Sequence, residues 1–285
     1  MATKSVKSYA KINVSLRVVS KRDDGYHELD SLMLPIELHD SLIISTLKNS
    51  YDNFVTVDDF SNGLIHYNLA SSSIQALAKK YGFDTKFRVY IHKVIPMQAG
   101  LGGGSSNAAF TLKTVNQMLK LGATEEELME LAAPLGADIP FFIKCEPSRA
   151  KGIGEKLQPL EIKNNYHCLI VKPTTGCSTK EVFAIADKEP YKAVDIDTVV
   201  KALKEGNDDL LAESMGNSLE EAAMSLVPEI KQIKEALKNM GLKIVMMSGS
   251  GSAVFALSTD ASLIKKAAKQ LEDKYLVEIT KVIKK

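Results

Sequence analysis

A chain of 285 residues with 45% hydrophobic side chains is long enough for one large or two ordinary domains with sizeable cores. Its 36 basic and 35 acidic side chains leave a net charge of +1, which excludes a global field drawing it to nucleic acid or to an anionic membrane. There is no apolar run of about 18 residues and no signal-type apolar core in MATKSVKSYAKIN, so a cytoplasmic protein is expected. Cys145, Cys168 and Cys177 form no CxxC pair and predict reduced packing residues rather than disulfides or zinc ligands.

Residues 6–18 alternate strictly: Ser8, Ala10, Ile12, Val14 and Leu16 fall on one face, and Lys7, Tyr9, Lys11, Asn13 and Ser15 on the other. This predicts a half-buried strand with Lys11 and Asn13 adjacent on its polar face, where a lysine reads as a solvated side chain or as a functional cation. KRDDGYHEL carries a D-G turn signal, and SLMLPIELHDSLIIST after it predicts one or two strands. A helix is expected over residues 67–81, stopped at Gly82, and then a strand FRVYIHKV. Phe87, Val89 and Ile91 share a face of that strand, with Lys93 on the same face at its exit.

PMQAGLGGGSSNAA, residues 96–109, sets four glycines and two serines between that strand and an alanine-rich helical pattern. Gly100, Gly102, Gly103 and Gly104 let backbone N–H groups approach an anion, and Ser105 and Ser106 are predicted to start a helix whose positive end favours a phosphate. A flexible linker is the alternative; the spacing fits neither GxxxxGK[ST] nor a GxGxxG following directly on its strand. The helix buries Ala108, Leu112, Val115 and Leu119. A second helix starts at Thr124, with Glu127 completing a capping box, and breaks near Pro134. Asp138 lies between Gly136 and Pro140, either as a carboxylate fixed by turn geometry or as a helix cap.

The polar stretch EKLQPLEIKNNY predicts a domain boundary at residues 155–165, followed by the strand HCLIVKP. Pro228 opens a helix with Ile230, Ile233, Leu237 and Met240 on one stripe, and Gly241 closes it. KIVMMS and SAVFALS read as strands joined by a GSG turn, with a helix at 260–273 and a last strand VEITKVI. The order suggests a split βαβ second domain.

Together PMQAGLGGGSSNAA, LGADIPFF and SGSGSAVFAL resemble the GHMP kinase superfamily. AKINVSLRVVSKRDDGYHEL is similar to the signature of those members that phosphorylate a cytidine diphosphate-linked methylerythritol in isoprenoid precursor biosynthesis. The resemblance implies an α+β, two-domain fold: an N-terminal α/β domain, residues 1–158, with a left-handed-crossover-type nucleotide site, and a C-terminal ferredoxin-like split βαβ domain, residues 159–285. It implies ATP as co-substrate with Mg²⁺, a small-molecule alcohol as acceptor, no nucleic-acid or membrane partner, and a monomer or homodimer. Lys11 and Asp138 match its catalytic pair, which suits a transfer needing a proton acceptor and an offset for negative charge.

By the same resemblance Pro96, Met97, Gln98, Ala99, Gly100, Leu101, Gly102, Gly103, Gly104, Ser105, Ser106 and Asn107 hold ATP. Lys93 and Asn68 line the adenine pocket, and Ser106 is the candidate metal ligand. Tyr26 and His27 meet the cytosine, Phe183 closes its second face with Thr179 nearby, and Asn13 lies near the erythritol hydroxyls. Taken without the resemblance, Tyr26 and His27 are turn-flanking residues and Phe183 a core aromatic. Gly249 and Gly251 read as a close backbone approach to the site or as a hairpin turn. Two positions depart from the family pattern: Gln98 stands where glycine is usual, and Cys145 and Glu146 where small residues are common. A kinase for another small alcohol and a catalytically silent nucleotide sensor are the competing readings.

Overall fold

The computed structural model describes residues 2–48, 50–58 and 68–284. The described chain forms two compact units, neither a single stretch of sequence. One comprises Met1–Ala10, His39–Ile95 and Gly102–Cys145; the other comprises Lys11–Leu38, Pro96–Leu101 and Glu146–Lys285. A single cut after residue 158 therefore does not describe compactness. Residues 11–38 and 96–101 bond to backbone far along the chain, as in Leu16 N–H to the Gly216 carbonyl and Ser252 N–H to the Gln98 carbonyl.

Two long strands run through both stretches of sequence: β1, Thr3–Lys21, and β2, His27–Leu47. The D-G signal makes the turn between them, with Gly25 at φ 85° and Arg22 N–H bonded to the Tyr26 carbonyl at 2.8 Å. SLMLPIELHDSLIIST is one strand rather than two.

In the first unit β3, Phe54–Asp58, pairs in parallel with β4, Lys86–His92, and β4 pairs antiparallel with Ser41–Leu47 of β2. Helix α1, Leu69–Tyr81, lies between β3 and β4 in sequence. Asn68 caps it through Ala70 N–H and Gly82 ends it at φ 69°; Tyr67, where the expected helix began, lies outside the described residues. Helix α2, Gly103–Leu119, packs on α1 and on α4, Ile139–Lys144. Between them α3, Glu125–Ala132, has the expected Thr124–Glu127 capping box, and Pro134 sits in a 3-10 turn, Ala133–Leu135. Leu42, Ile44, Phe87, Val89, Ile91, Leu112 and Val115 are fully buried in this unit.

In the second unit the supposed boundary segment is itself structured. β6, Lys156–Pro159, pairs with β5, Ser148–Gly152, and β5 pairs with Leu29–Met33 of β2. A polar edge strand has no apolar alternation to announce it, so its sequence reads as loop. β7, His167–Lys172, β8, Ile244–Met247, β9, Val254–Ser258, and β10, Leu276–Lys281, form an antiparallel sheet in the order β10-β7-β9-β8. This is the ferredoxin-like arrangement expected. Helices α5, Thr179–Ala186, α6, Ile196–Glu205, α7, Asp208–Ser214, α8, Glu220–Leu226, and α9, Glu229–Asn239, fill the long connection from β7 to β8, and α10, Ala261–Leu271, connects β9 to β10. Ile230, Ile233, Leu237 and Ile264 pack with Leu169, Val245 and Val254 in one apolar cluster.

Helix α2 ends at Lys120 with φ 53°, its N–H bonded to the Asn116 and Gln117 carbonyls. A side chain in this left-handed conformation costs about 1–2 kcal/mol, and glycine avoids that at an entropic cost of about 0.5–1 kcal/mol. Lys120→Gly is expected to raise the unfolding free energy by about 0.5–1 kcal/mol in a denaturant titration; a loss of stability would place the strain elsewhere.

Candidate active site

The glycine segment divides between the units. Its first half, Pro96–Leu101, belongs to the second unit and is bonded along its backbone to the loop between β8 and β9. Ser252 N–H bonds the Gln98 carbonyl at 3.1 Å, Ala253 N–H the Ala99 carbonyl at 3.2 Å, and Ser248 Oγ–H the Gly100 carbonyl at 2.9 Å. Gly100 has φ 71°, and a Cβ there would lie 1.9 Å from the Ser248 carbonyl oxygen. SGSG is thus a close backbone approach made by the loop of the antiparallel β8–β9 hairpin. Gln98, where the family pattern has glycine, has φ 51°, and Cys145, the other departure, caps α4 at φ 53°. Both lie in the backbone region that glycine enters without strain, which explains the family preference.

The second half begins α2 in the first unit. The helix starts at Gly103, two residues before the expected serine, because Gly102 at φ 70° turns the chain and accepts Ser106 N–H at 2.8 Å. Gly103, Gly104 and Ser105 therefore hold the first-turn N–H groups, with no acidic side chain in that turn. A Cβ on Gly103 would lie 3.0 Å from Lys93 Nζ and from Ile95 Cγ2. Lys93 itself pairs with Asp40 at 2.5 Å, and Asp40, fully buried, also accepts the N–H groups of Val94 and Ile95. Two assigned side chains turn inward instead of toward an anion: Ser106 Oγ–H donates to the Tyr9 carbonyl at 2.6 Å, and Asn107 Oδ1 accepts from Ser8 Oγ at 2.6 Å. Both are buried and anchor α2 to β1.

On β1 the even positions from Ser8 to Val18 are buried as expected, but so is the polar face from Lys11 to Ser15. Lys11 is 3% exposed and Asn13 4%. Lys11 Nζ donates to Asn13 Oδ1 at 2.5 Å, and Asn13 Nδ2–H donates to Ser31 Oγ at 2.8 Å. The backbone joins the same cluster, with Lys11 N–H on the Leu101 carbonyl at 3.1 Å and Asn13 N–H on Ser248 Oγ at 3.2 Å. A solvated strand lysine is excluded. An ammonium held out of water in a polar cluster is suited to meeting an anion.

The hairpin residues form a second cluster in the same unit. Tyr26 is 57% exposed, whereas His27 is nearly buried. The His27 ring stacks on Phe183 with centroids 4.3 Å apart and planes at 24°, too close to admit a third ring between them. His27 Nε2 lies 2.8 Å from Asp187 Oδ1, and Asp187 also accepts from Lys21 Nζ at 2.6 Å and from the Tyr191 hydroxyl. Burial raises the Asp187 carboxyl, but the hydrogen bonds from Lys21, Tyr191 and His27 outweigh it and hold the pKa down at about 2. Burial, reinforced by Asp187, pushes the Tyr191 hydroxyl up to about 12. Thr179 Oγ1 lies 2.8 Å from Ser250 Oγ, so α5 ties the β8–β9 loop at its start and the hairpin at its end.

Asp138, in the first unit, occupies the N-cap position of α4 with φ −83° and ψ −11°, yet its side chain makes no capping hydrogen bond. Gly136 N–H on the Ala132 carbonyl and Ile139 N–H on the Gly136 carbonyl fix the turn that carries it. The helix-cap reading is therefore not what the side chain does. Among the described residues no group of three His, Cys, Asp or Glu is placed to hold a metal ion.

Sequence reasoning missed Asp40, Asp187, Asn217 and Ser248. Asn217 Nδ2–H donates to the Met247 and Gly249 carbonyls, fixing the β8–β9 loop from beneath. Asp40 carried a signal, an acid inside an apolar strand. Asp187 carried another, standing one helical turn after Phe183.

Residues 68–146 match the GHMP kinases N terminal domain and residues 199–277 the GHMP kinases C terminal domain. The chain belongs to the GHMP kinase family. This GHMP kinase is 35% identical to the 4-diphosphocytidyl-2-C-methyl-D-erythritol kinase of Caldicellulosiruptor bescii, over 94% of its own length and 93% of the relative's. Identity to the enzyme of the same name from Alkaliphilus metalliredigens is 37%, over 95% and 93%. A crystal structure of 4-(cytidine 5'-diphospho)-2C-methyl-D-erythritol kinase superposes with a TM-score of 0.82 at 30% identity, covering 98% of this chain and 99% of that one. Homoserine kinase from Cytophaga hutchinsonii shares the fold at a TM-score of 0.75 and 18% identity, covering 98% and 94%. This chain is a small-molecule kinase.

The Gly100 contact sets a stability test. Gly100→Ala is expected to lower the unfolding free energy by about 3 kcal/mol or more, since φ and space both forbid the methyl group. At Gly104 the nearest atom to a new Cβ is Leu69 Cδ1 at 3.9 Å. Gly104→Ala should leave stability equal or raise it by up to about 1 kcal/mol; equal losses at both sites in thermal unfolding would refute the distinction.

Proposed function

We propose that this GHMP kinase transfers the γ-phosphoryl group of ATP to the 2-hydroxyl of 4-diphosphocytidyl-2-C-methyl-D-erythritol, giving the 2-phosphate and ADP in non-mevalonate isoprenoid precursor biosynthesis. The buried Lys11–Asn13 face carries the chemical part of this reading, and identity along nearly the whole chain to kinases named for that substrate supports the acceptor.

In the proposed reaction the acceptor oxygen attacks the γ-phosphorus, the bond to the β-bridging oxygen breaks, and ADP leaves with that electron pair. Asp138 accepts the hydroxyl proton as the new bond forms. Lys11 offsets the negative charge gathered on the transferring group, and Asn13 orients both the ammonium and the acceptor hydroxyls. The N–H groups of Gly103, Gly104 and Ser105 receive the phosphates, with Pro96–Leu101 forming the entry to the loop and Asn68 and Lys93 bordering the adenine. Magnesium would accompany the nucleotide and supply charge neutralisation at its phosphates, with Ser106 as the candidate protein ligand. Tyr26 stacks on one face of the cytosine, His27 bonds its polar edge, Phe183 closes the second face, and Thr179 stands nearby. Residues 1–158 and 159–285 remain our assignment of the two family domains, and we assign the enzyme to the cytoplasm as a monomer or homodimer.

Purified protein with ATP and Mg²⁺ should consume ATP with 4-diphosphocytidyl-2-C-methyl-D-erythritol and not with mevalonate or homoserine. Turnover of mevalonate or homoserine instead would overturn the acceptor, and inactivity with all three would overturn the kinase assignment. Asp138→Asn should lower kcat by about 10²–10⁴-fold with the KM for ATP and the unfolding midpoint unchanged, and near-normal kcat would remove Asp138 from the reaction.

A further inference from the structure

Asp187 stands at the C-terminal cap of α5, where the helix end carries partial negative charge and a carboxylate is unfavourable. A charge of the wrong sign at a helix end needs a compensating partner, and three donors supply one: Lys21, Tyr191 and His27. Thr179, Phe183 and Asp187 recur every four residues along one face of α5, so the helix that presents Phe183 to the His27 ring also presents Asp187 to its edge. The ring is held against Phe183 on one face, and Tyr191 meets its edge at 6.3 Å and 89°. Little freedom remains for it to turn over.

An ionised carboxylate accepts hydrogen bonds and cannot donate them. The 2.8 Å contact from His27 Nε2 to Asp187 Oδ1 therefore requires the proton on Nε2. In the neutral imidazole this leaves Nδ1 as a lone-pair acceptor. Cytosine and uracil differ on the corresponding edge: cytosine carries an amino donor where uracil carries a carbonyl acceptor. An acceptor on the protein pairs with the first and opposes the second.

We propose that Asp187 is a positioning residue for base recognition: by accepting the Nε2 proton of His27 it fixes the tautomer whose Nδ1 accepts from the cytosine amino group, so that the enzyme selects a cytidine-linked over a uridine-linked substrate. Lys21 and Tyr191 keep Asp187 charged and oriented for this task. The proposal rests on the cytidine reading of Tyr26 and His27 given above.

Two measurements on the full-length enzyme test it. Long-range ¹H–¹⁵N spectra of histidine-labelled protein at pH 8, with His27 assigned by the loss of its signals in His27→Asn, should show the Nε2-protonated tautomer in the unsubstituted enzyme and a mixture in Asp187→Asn, whose amide either accepts or donates. Nδ1 protonation in the unsubstituted enzyme would overturn the proposal without any Asp187 variant having to fold. Steady-state kinetics with cytidine- and uridine-diphospho-methylerythritol should show about 100-fold or greater preference for cytidine, falling at least about tenfold in Asp187→Asn through the KM of the cytidine substrate. The kcat and the KM for ATP should hold. An unchanged preference in a folded Asp187→Asn would overturn base selection by Asp187. The Nε2 tautomer with turnover of neither nucleotide-linked alcohol would overturn the acceptor reading and base selection with it, leaving only the Asp187–His27 contact.

Discussion

The second unit depends on one backbone contact, that of Gly100 with Ser248. The Ser248 carbonyl occupies the space a Cβ on Gly100 would need, and the Ser248 hydroxyl both donates to the Gly100 carbonyl and accepts from Asn13 N–H. One serine thereby links the glycine segment, the β8–β9 loop and the strand bearing Lys11. The neighbouring bonds from Ser252 and Ala253 to Gln98 and Ala99 extend the contact, and Asn217 holds the loop from its other side. Backbone-to-backbone approach of this kind tolerates little change in side chain, which is why glycine recurs there.

Lys11 is buried next to the same contact, with its N–H on the Leu101 carbonyl. An ammonium taken from water without hydrogen-bonding partners is strongly unfavourable, and the Asn13 amide oxygen at 2.5 Å supplies one of them. Asn13 is itself held by Ser31, whose hydroxyl bonds the Ser15 carbonyl. The chain from Lys11 through Asn13 and Ser31 back to β1 fixes the charge in one place before any ligand arrives. In the proposed reaction a charge fixed in this way needs little reorganisation at the moment of transfer, which is how electrostatic stabilisation lowers a barrier.

Period-two alternation placed Lys11 and Asn13 on one face of β1, and that much was legible because it is local. What covers a face is not local, so the burial of the polar side came only with structure. The same limit explains β6, whose polar residues pair with a strand without changing the pattern of the sequence. Helix α2 was misplaced by two residues because glycine is a poor helix former in general yet suits a first turn entered from Gly102 at φ 70°. Gln98 and Cys145 show the converse. Their departure from the family pattern was visible in the sequence, and its meaning, a positive φ at each, was not.

A fold shared with homoserine kinase at a TM-score of 0.75 and 18% identity cannot by itself choose an acceptor. Under the proposed reading the glycine segment serves the nucleotide and has no reason to differ between kinases for different alcohols. Selection under that reading comes from side chains outside it, in the hairpin and α5: an exposed Tyr26, a stacked His27 and Phe183, and a carboxylate kept charged by Lys21 and Tyr191. His27 and Asp187 are bonded to each other, and the helix that carries Phe183 and Asp187 is tied at its start to the β8–β9 loop through Thr179 and Ser250. A change of acceptor under that reading needs substitutions in the hairpin and α5, and none in the glycine segment.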